Sequence, residues 1–137
     1  MANPSTTPNL KGVNFEAVQL TPDDSESVLN IIPSGAKVVK CLDGVNGVND
    51  FVTLPSLATV RDGHSIMIIC NTAGMEIRTP ASDAEEINSE NCDGTKEYTV
   101  AAGDQIHYFT KIDSTIGWMG NGYTAIGAVV GAITPGA

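Results

Sequence analysis

The sequence has little charge, and very little of it is positive. Charged residues make up 17% of its 137 residues, with seven Lys and Arg against sixteen Asp and Glu, for a net charge of −9. The seven cations stand singly along the chain. A nucleic-acid-binding surface needs clustered cations to displace counterions from phosphate, so we expect no nucleic-acid partner.

Long apolar segments are missing as well. The longest apolar run is Thr124–Ile133, which has ten residues, whereas a transmembrane helix needs about 20. The N-terminal stretch, MANPSTTPNLKG, lacks the apolar core of a signal peptide. We therefore expect no membrane partner and no signal peptide.

Paired cysteines are also missing. Cys41, Cys70 and Cys92 are an odd number and too far apart for the CxxC spacing of zinc sites. Cys41 and Cys70 lie in apolar runs, where a free thiol packs like a small hydrophobic side chain. The sequence thus predicts three free thiols, no zinc site, and synthesis in a reducing cytoplasm.

Catalytic motifs are absent too. His64 and His107 are the only histidines, and neither accompanies a GxSxG or similar nucleophile motif. No glycine-rich phosphate loop opens a helix. The adjacent pairs Asp23-Asp24 and Glu85-Glu86 would point apart in an extended chain. We therefore expect that the protein is not an enzyme and uses no cofactor.

One acidic stretch, residues 83–93, leaves two interpretations open. It offers hard oxygen ligands of the kind that Ca²⁺ prefers, but Ile87 stands where an EF-hand would need a ligand. The stretch is therefore either a solvated loop or a calcium site of another type. Its oxygen-bearing residues are Asp83, Glu85, Glu86, Asn88, Glu90, Asn91 and Asp93.

What the sequence does contain is a pattern typical of β-strands. Apolar residues recur at every second position through much of 97–120, and nine or ten such short segments alternate with Gly, Pro, Asn and Asp turns. The pattern predicts an all-β fold: a small antiparallel β-sandwich or β-barrel of jelly-roll or tulip-like type. Residues 1–12, rich in Pro, Thr and Asn, are predicted to form a flexible arm, and 13–137 a single β-domain.

Several short motifs follow one another in a recognisable order. They include Thr53-Leu54-Pro55, Ile87-Asn88, Gly94, Ala102-Gly103 and Gly117-Trp118. In this order and spacing they resemble a β-module of tailed-phage virion proteins, found in capsid decoration (cement) proteins and at fibre tips. The resemblance extends from Ala36 to Gly120.

The resemblance implies a protein of the virion. It would be assembled in the host cytoplasm, bind the major capsid protein on the outer surface of the finished head, and stabilise the head as a homotrimer. The alternative that the resemblance leaves open is a receptor-binding or adhesin domain of a tail or head fibre.

Apolar residues outside the most regular segment are candidates for contact with the capsid or with another subunit. Trp118 has the largest apolar side chain and is predicted either to fill the core or to form such a contact. The full set of predicted contact residues is Phe15, Val18, Leu20, Trp118, Ile126, Val129 and Val130.

Overall fold

The fold is built almost entirely of β-strands, as predicted. The computed structural model describes residues 17–20, 31–41, 50–70, 75–81, 84–100, 105–124 and 126–135. The strands are β1 (Ala17–Leu20), β2 (Val38–Cys41), β3 (Phe51–Thr53), β4 (Ser65–Cys70), β5 (Met75–Arg78), β6 (Glu86–Ile87), β7 (Glu90–Asn91), β8 (Lys96–Val100), β9 (Gln105–Asp113), β10 (Gly117–Tyr123), β11 (Val129–Val130) and β12 (Ala132–Pro135). A single 3₁₀ turn at Leu57–Thr59 is the only helical element in these ranges.

The strands form two sheets. The larger has the order β1-β2-β4-β9-β10-β6-β7, with β11 also paired to β10, and the smaller has the order β12-β8-β5-β3. Their inner faces meet in one apolar core, in which the rings of Tyr98 (small sheet) and Phe109 (large sheet) contact edge to face with centroids 4.8 Å apart.

The β9–β10 hairpin is the centre of the large sheet. Its strands are the longest in the described structure, with nine residues in β9 and seven in β10. Its turn is closed by Asp113, whose Oδ1 accepts hydrogen bonds from the backbone N–H groups of Thr115 and Ile116. Gly117 has a φ of 83°, a value that L-residues with a side chain rarely adopt, and the register shifts between Gly117 and Trp118. The bulge sets which side of β10 faces the core.

The prediction of a purely antiparallel arrangement is wrong. β1 pairs parallel with β2, β2 with β4, β3 with β5, and β6 with β10. Alternation of apolar residues shows which face a side chain occupies, but it does not show the direction of the neighbouring strand. Along the chain, β3 follows β2 and precedes β4, but β3 belongs to the small sheet. The connection from β2 to β4 is therefore a crossover, and the two strands run parallel.

Several sequence predictions concern segments outside the described residues. The predicted flexible arm, 1–12, is one of them. Within the described ranges, no helix is long and apolar enough to span a bilayer.

Candidate interaction face

Apolar side chains cover much of the outward side of the large sheet, because alternate residues of its central strands point away from the core. In β9, Gln105, His107, Phe109 and Lys111 point into the core, so the residues between them point outward. Ile106, Tyr108 and Ile112 keep 37%, 41% and 41% of their surface exposed.

The neighbouring strands extend this surface in register. Tyr108 lies between Met67 on β4 and Asn121 on β10, and Ile106 lies between Ile69 and Tyr123. We call this surface the outer face. Its residues are Ser65, Met67, Ile69, Ile106, Tyr108, Thr110, Ile112, Met119, Asn121, Tyr123 and Val129.

None of these residues is charged, although the chain as a whole has a net charge of −9. Lys40, which is exposed on β2 beside Ile69, borders the outer face on the same side of the sheet. Met119 is 46% exposed and Val129 67%. The rings of Tyr108 and Tyr123 contact each other with centroids 6.0 Å apart. The centres of protein–protein interfaces are likewise depleted of charge and enriched in aromatic residues and Met. The outer face therefore has the composition of a surface that another protein covers.

A fixed polar layer supports the outer face from behind. His107 Nε2 lies 2.9 Å from Gln105 Oε1, and His107 Nδ1 lies 2.9 Å from the Tyr98 hydroxyl. Because the Gln105 oxygen can only accept, Nε2–H donates to it, and Nδ1 accepts from the Tyr98 hydroxyl. Burial lowers the pKa of His107 to about 4 and raises the pKa of Tyr98. The layer therefore links the two sheets through a neutral histidine.

Two glycines leave the space that the His107 and Tyr98 rings occupy in this layer. A Cβ at Gly122 would lie 2.3 Å from the His107 ring, and one at Gly131 would lie 2.0 Å from the Tyr98 hydroxyl. Glycine at these two positions lets the side chains lie flat against the neighbouring strands.

Lys111 is the residue of this layer that sequence reasoning missed. It is 4% exposed, and its Nζ donates to the carbonyl oxygens of Leu57 and Val60, each 2.8 Å away. Its ion-pair partner is Asp62, at 3.2 Å. A buried lysine at an inward position of β9 thus anchors the 3₁₀ turn to the large sheet.

We expect Lys111→Met to lower the free energy of unfolding by about 2 kcal/mol, because it removes the Nζ donor from the buried carbonyl oxygens of Leu57 and Val60. Equilibrium urea unfolding measures the change. Lys40→Met is the matched control, since Lys40 is exposed on β2. Equal losses in the two variants would contradict the anchoring role.

The predicted contact residues do not come together on one surface. Trp118 is 0% exposed and belongs to the core, so its predicted role as a contact is wrong and its alternative role as core filling is confirmed. Val18 and Leu20 are half-buried and pack against the core from β1. Ile126 is 92% exposed, Val129 lies on the outer face, Val130 beside it is half-buried, and Phe15 lies outside the described residues.

The acidic stretch divides into residues with separate partners. Glu85 Oε1 accepts from Ser56 Oγ and from the Leu57 N–H, at 3.1 and 2.9 Å. Glu90 pairs with Lys96. Asp93 accepts from the Thr95 N–H at 3.0 Å, a bond that lowers its pKa. Within the described part of the chain, no group of three or more His, Cys, Asp or Glu side chains could hold a metal ion. Asp83 lies outside the described residues. The described part of the stretch is not a solvated loop either, because it contains β6 and β7 and buries Glu85 and Ile87.

The outer face could not be predicted from alternation in β9. Its outward residues Ile106, Tyr108 and Ile112 are apolar, whereas three of its inward residues, Gln105, His107 and Lys111, are polar. The ordinary rule that the apolar side of a strand faces the core would have placed the two faces the other way round. Comparison with known proteins adds no family here, because no protein-family model and no curated protein sequence matches the chain.

Proposed function

We propose that this protein is a bacteriophage capsid decoration (cement) protein that binds the outer surface of the assembled head. Its partner is the major capsid protein, it acts as a homotrimer, and its location is the virion. The observation that carries the proposal is the apolar outer face, which has no acidic residue, and the resemblance to phage virion modules supplies the setting.

The chemistry of the outer face suits a broad protein surface. A β-sheet held by the buried Tyr98–His107–Gln105 layer keeps a fixed shape, so little conformational entropy is lost on binding. Acidic groups elsewhere on the chain repel other copies at long range. On the outer face there is no such repulsion, and contact there depends on shape and apolar burial.

Binding of this kind stabilises a shell by mass action. A ligand that binds the assembled form and not the opened form shifts the equilibrium towards assembly. Many copies, each bound through its outer face, would therefore oppose expansion and opening of the head. No catalytic step is needed for this activity.

We expect Tyr108→Glu to weaken binding to undecorated heads by at least about tenfold, because it puts a charge in the middle of an apolar contact. Co-sedimentation of the purified protein with heads from the parent phage measures the affinity. Ala58→Glu is the matched control, because Ala58 is exposed on the 3₁₀ turn, outside the outer face.

Two outcomes would contradict the proposal. One is equal binding of both variants and the wild-type protein to heads. The other is a count of only a few copies per particle, by quantitative mass spectrometry of purified virions, with those copies on the tail. Analytical ultracentrifugation separately tests the trimer.

The second candidate is a receptor-binding or adhesin domain of a fibre, and one observation favours it. The exposed Tyr108 contacts the half-buried ring of Tyr123 next to Asn121, and exposed aromatic residues beside an amide are typical of carbohydrate-binding surfaces. A glycan array with a clear hit that Tyr108→Ala removes, together with low copy number in the particle, would favour this function over capsid decoration.

A further inference from the structure

Two of the three cysteines face each other across neighbouring strands. Cys41 is the last residue of β2 and Cys70 the last residue of β4, and the two are direct partners in the parallel register of these strands. Residues paired in this way are about 4.8 Å apart, which lies within the range of Cα separations that disulfides bridge.

Both side chains point in the same direction, into the core. Cys41 is 2% exposed and Cys70 1%, and both are free thiols. The two side chains are within hydrogen-bonding reach, and this contact, together with burial, raises the pKa of the Cys70 thiol. Sequence spacing did not predict this pair, because 28 residues lie between the two cysteines and the crossover through β3 brings them together.

We propose that Cys41 and Cys70 form a reversible intrachain disulfide when the protein encounters an oxidising thiol–disulfide environment. The third cysteine, Cys92, has no part in it, since it directly follows β7, which is separated from β4 by β9, β10 and β6 in the large sheet. This inference does not depend on the proposed function.

The reaction is a two-step exchange with a disulfide oxidant such as oxidised glutathione. One cysteine thiolate attacks the oxidant, forms a mixed disulfide and releases one glutathione thiolate. The second cysteine then attacks the mixed disulfide, the Cys41–Cys70 bond forms, and the second glutathione leaves. Two protein thiols are oxidised and one glutathione disulfide is reduced to two glutathiones, with the protein protons passing to the leaving thiolates.

The bond would join two strands that otherwise rely on backbone hydrogen bonds and packing. Among the described strands, β2 alone pairs with β1 and so joins it to the rest of the large sheet. A covalent link between β2 and β4 would fasten this edge. Because the two cysteines are buried and Cys70 resists deprotonation, oxidation of the folded protein is slow, and the bond forms best while the chain folds.

The test uses the full chain, refolded from denaturant in a glutathione redox buffer and in parallel in dithiothreitol. Free thiols are then blocked with N-ethylmaleimide under denaturing conditions and mapped by mass spectrometry. We expect the redox-refolded protein to carry the label on Cys92 alone and the reduced protein on all three cysteines. We also expect the oxidised form to melt on the order of 10 °C higher, a gain that dithiothreitol removes.

Matched variants separate this pair from chance oxidation. Cys92→Ala should retain the crosslink, whereas Cys41→Ala should show none. Secretion of the chain into an oxidising periplasm, compared with expression in the cytoplasm, gives the same comparison without refolding. Labelling of all three cysteines after both oxidising treatments, or a crosslink that includes Cys92, would overturn the proposal.

Discussion

Replacing Trp118 with alanine is expected to lower the free energy of unfolding by about 3–5 kcal/mol, the range observed for truncating a large buried aromatic residue. Trp118 is the largest fully buried side chain in the described structure. It lies between Lys111 on β9 and Ile87 on β6, its two cross-strand partners. The variant would thus leave a cavity where three strands of the large sheet meet.

A second substitution at this position separates packing from hydrogen bonding. Trp118 Nε1 has no hydrogen-bond partner among the described residues. Trp118→Phe therefore gives up no hydrogen bond and should cost less than half as much as Trp118→Ala, in proportion to the smaller loss of buried apolar surface.

Urea unfolding monitored by far-ultraviolet circular dichroism measures both changes, since the variants lack the tryptophan signal. Ile116→Ala is the control, because Ile116 is 44% exposed in the β9–β10 turn. If Trp118→Ala lowers the free energy of unfolding no more than Ile116→Ala does, Trp118 is not a core residue, and the alternative role as a contact residue is favoured.

The sequence predicted local structure well where the signal was local. The alternation through 97–120 indicated short strands there, and β8, β9 and β10 are present. Burial of Trp118 was one of two predicted roles. The apolar pattern of a strand does not show which strand lies beside it or in which direction that strand runs. The parallel neighbours of β2 and β3 could therefore not be predicted from it.

The candidate site was harder to predict because its parts come from distant segments. Lys111 is charged, yet it is buried, because the carbonyl oxygens of Leu57 and Val60, more than 50 residues earlier, accept its hydrogen bonds. Cys41 and Cys70 meet only through the crossover. The outer face was hard to predict for another reason: in β9 the apolar Ile106 and Tyr108 point outward, whereas the polar Gln105 and His107 point into the core.

The buried histidine predicts how the protein responds to acid. The pKa of His107 is about 4 in the folded protein, since burial disfavours the charged ring, and near 6.5 in the unfolded chain. Between these values the unfolded chain binds a proton that the folded protein does not. The free energy of unfolding therefore falls as the pH drops from about 6.5 to about 4, by on the order of 3 kcal/mol from this group.

Protonation would also disrupt the hydrogen-bond layer behind the outer face. Nδ1 of a charged ring donates, so it no longer accepts from the Tyr98 hydroxyl, which lies 2.9 Å away. Tyr98 and Gln105 stay uncharged over this range, so neither compensates for the positive charge. Acid should thus loosen the link between the two sheets before it unfolds the chain.

Comparison of variants isolates this histidine from the carboxylates that titrate in the same range. We expect His107→Gln to be less stable than wild type at pH 7, but with a smaller further loss between pH 6.5 and pH 4.5 in urea unfolding. His64→Gln is the matched control. Burial is also the leading cause of the lowered pKa of His64. The His64 ring, however, is only half-buried and is within hydrogen-bonding distance of the Ala36 carbonyl oxygen. It should keep most of the wild-type slope, because its smaller desolvation leaves less free energy linked to protonation. If His107→Gln keeps the full wild-type slope, the acid response comes from other groups, and the neutral His107 does not hold the sheets together.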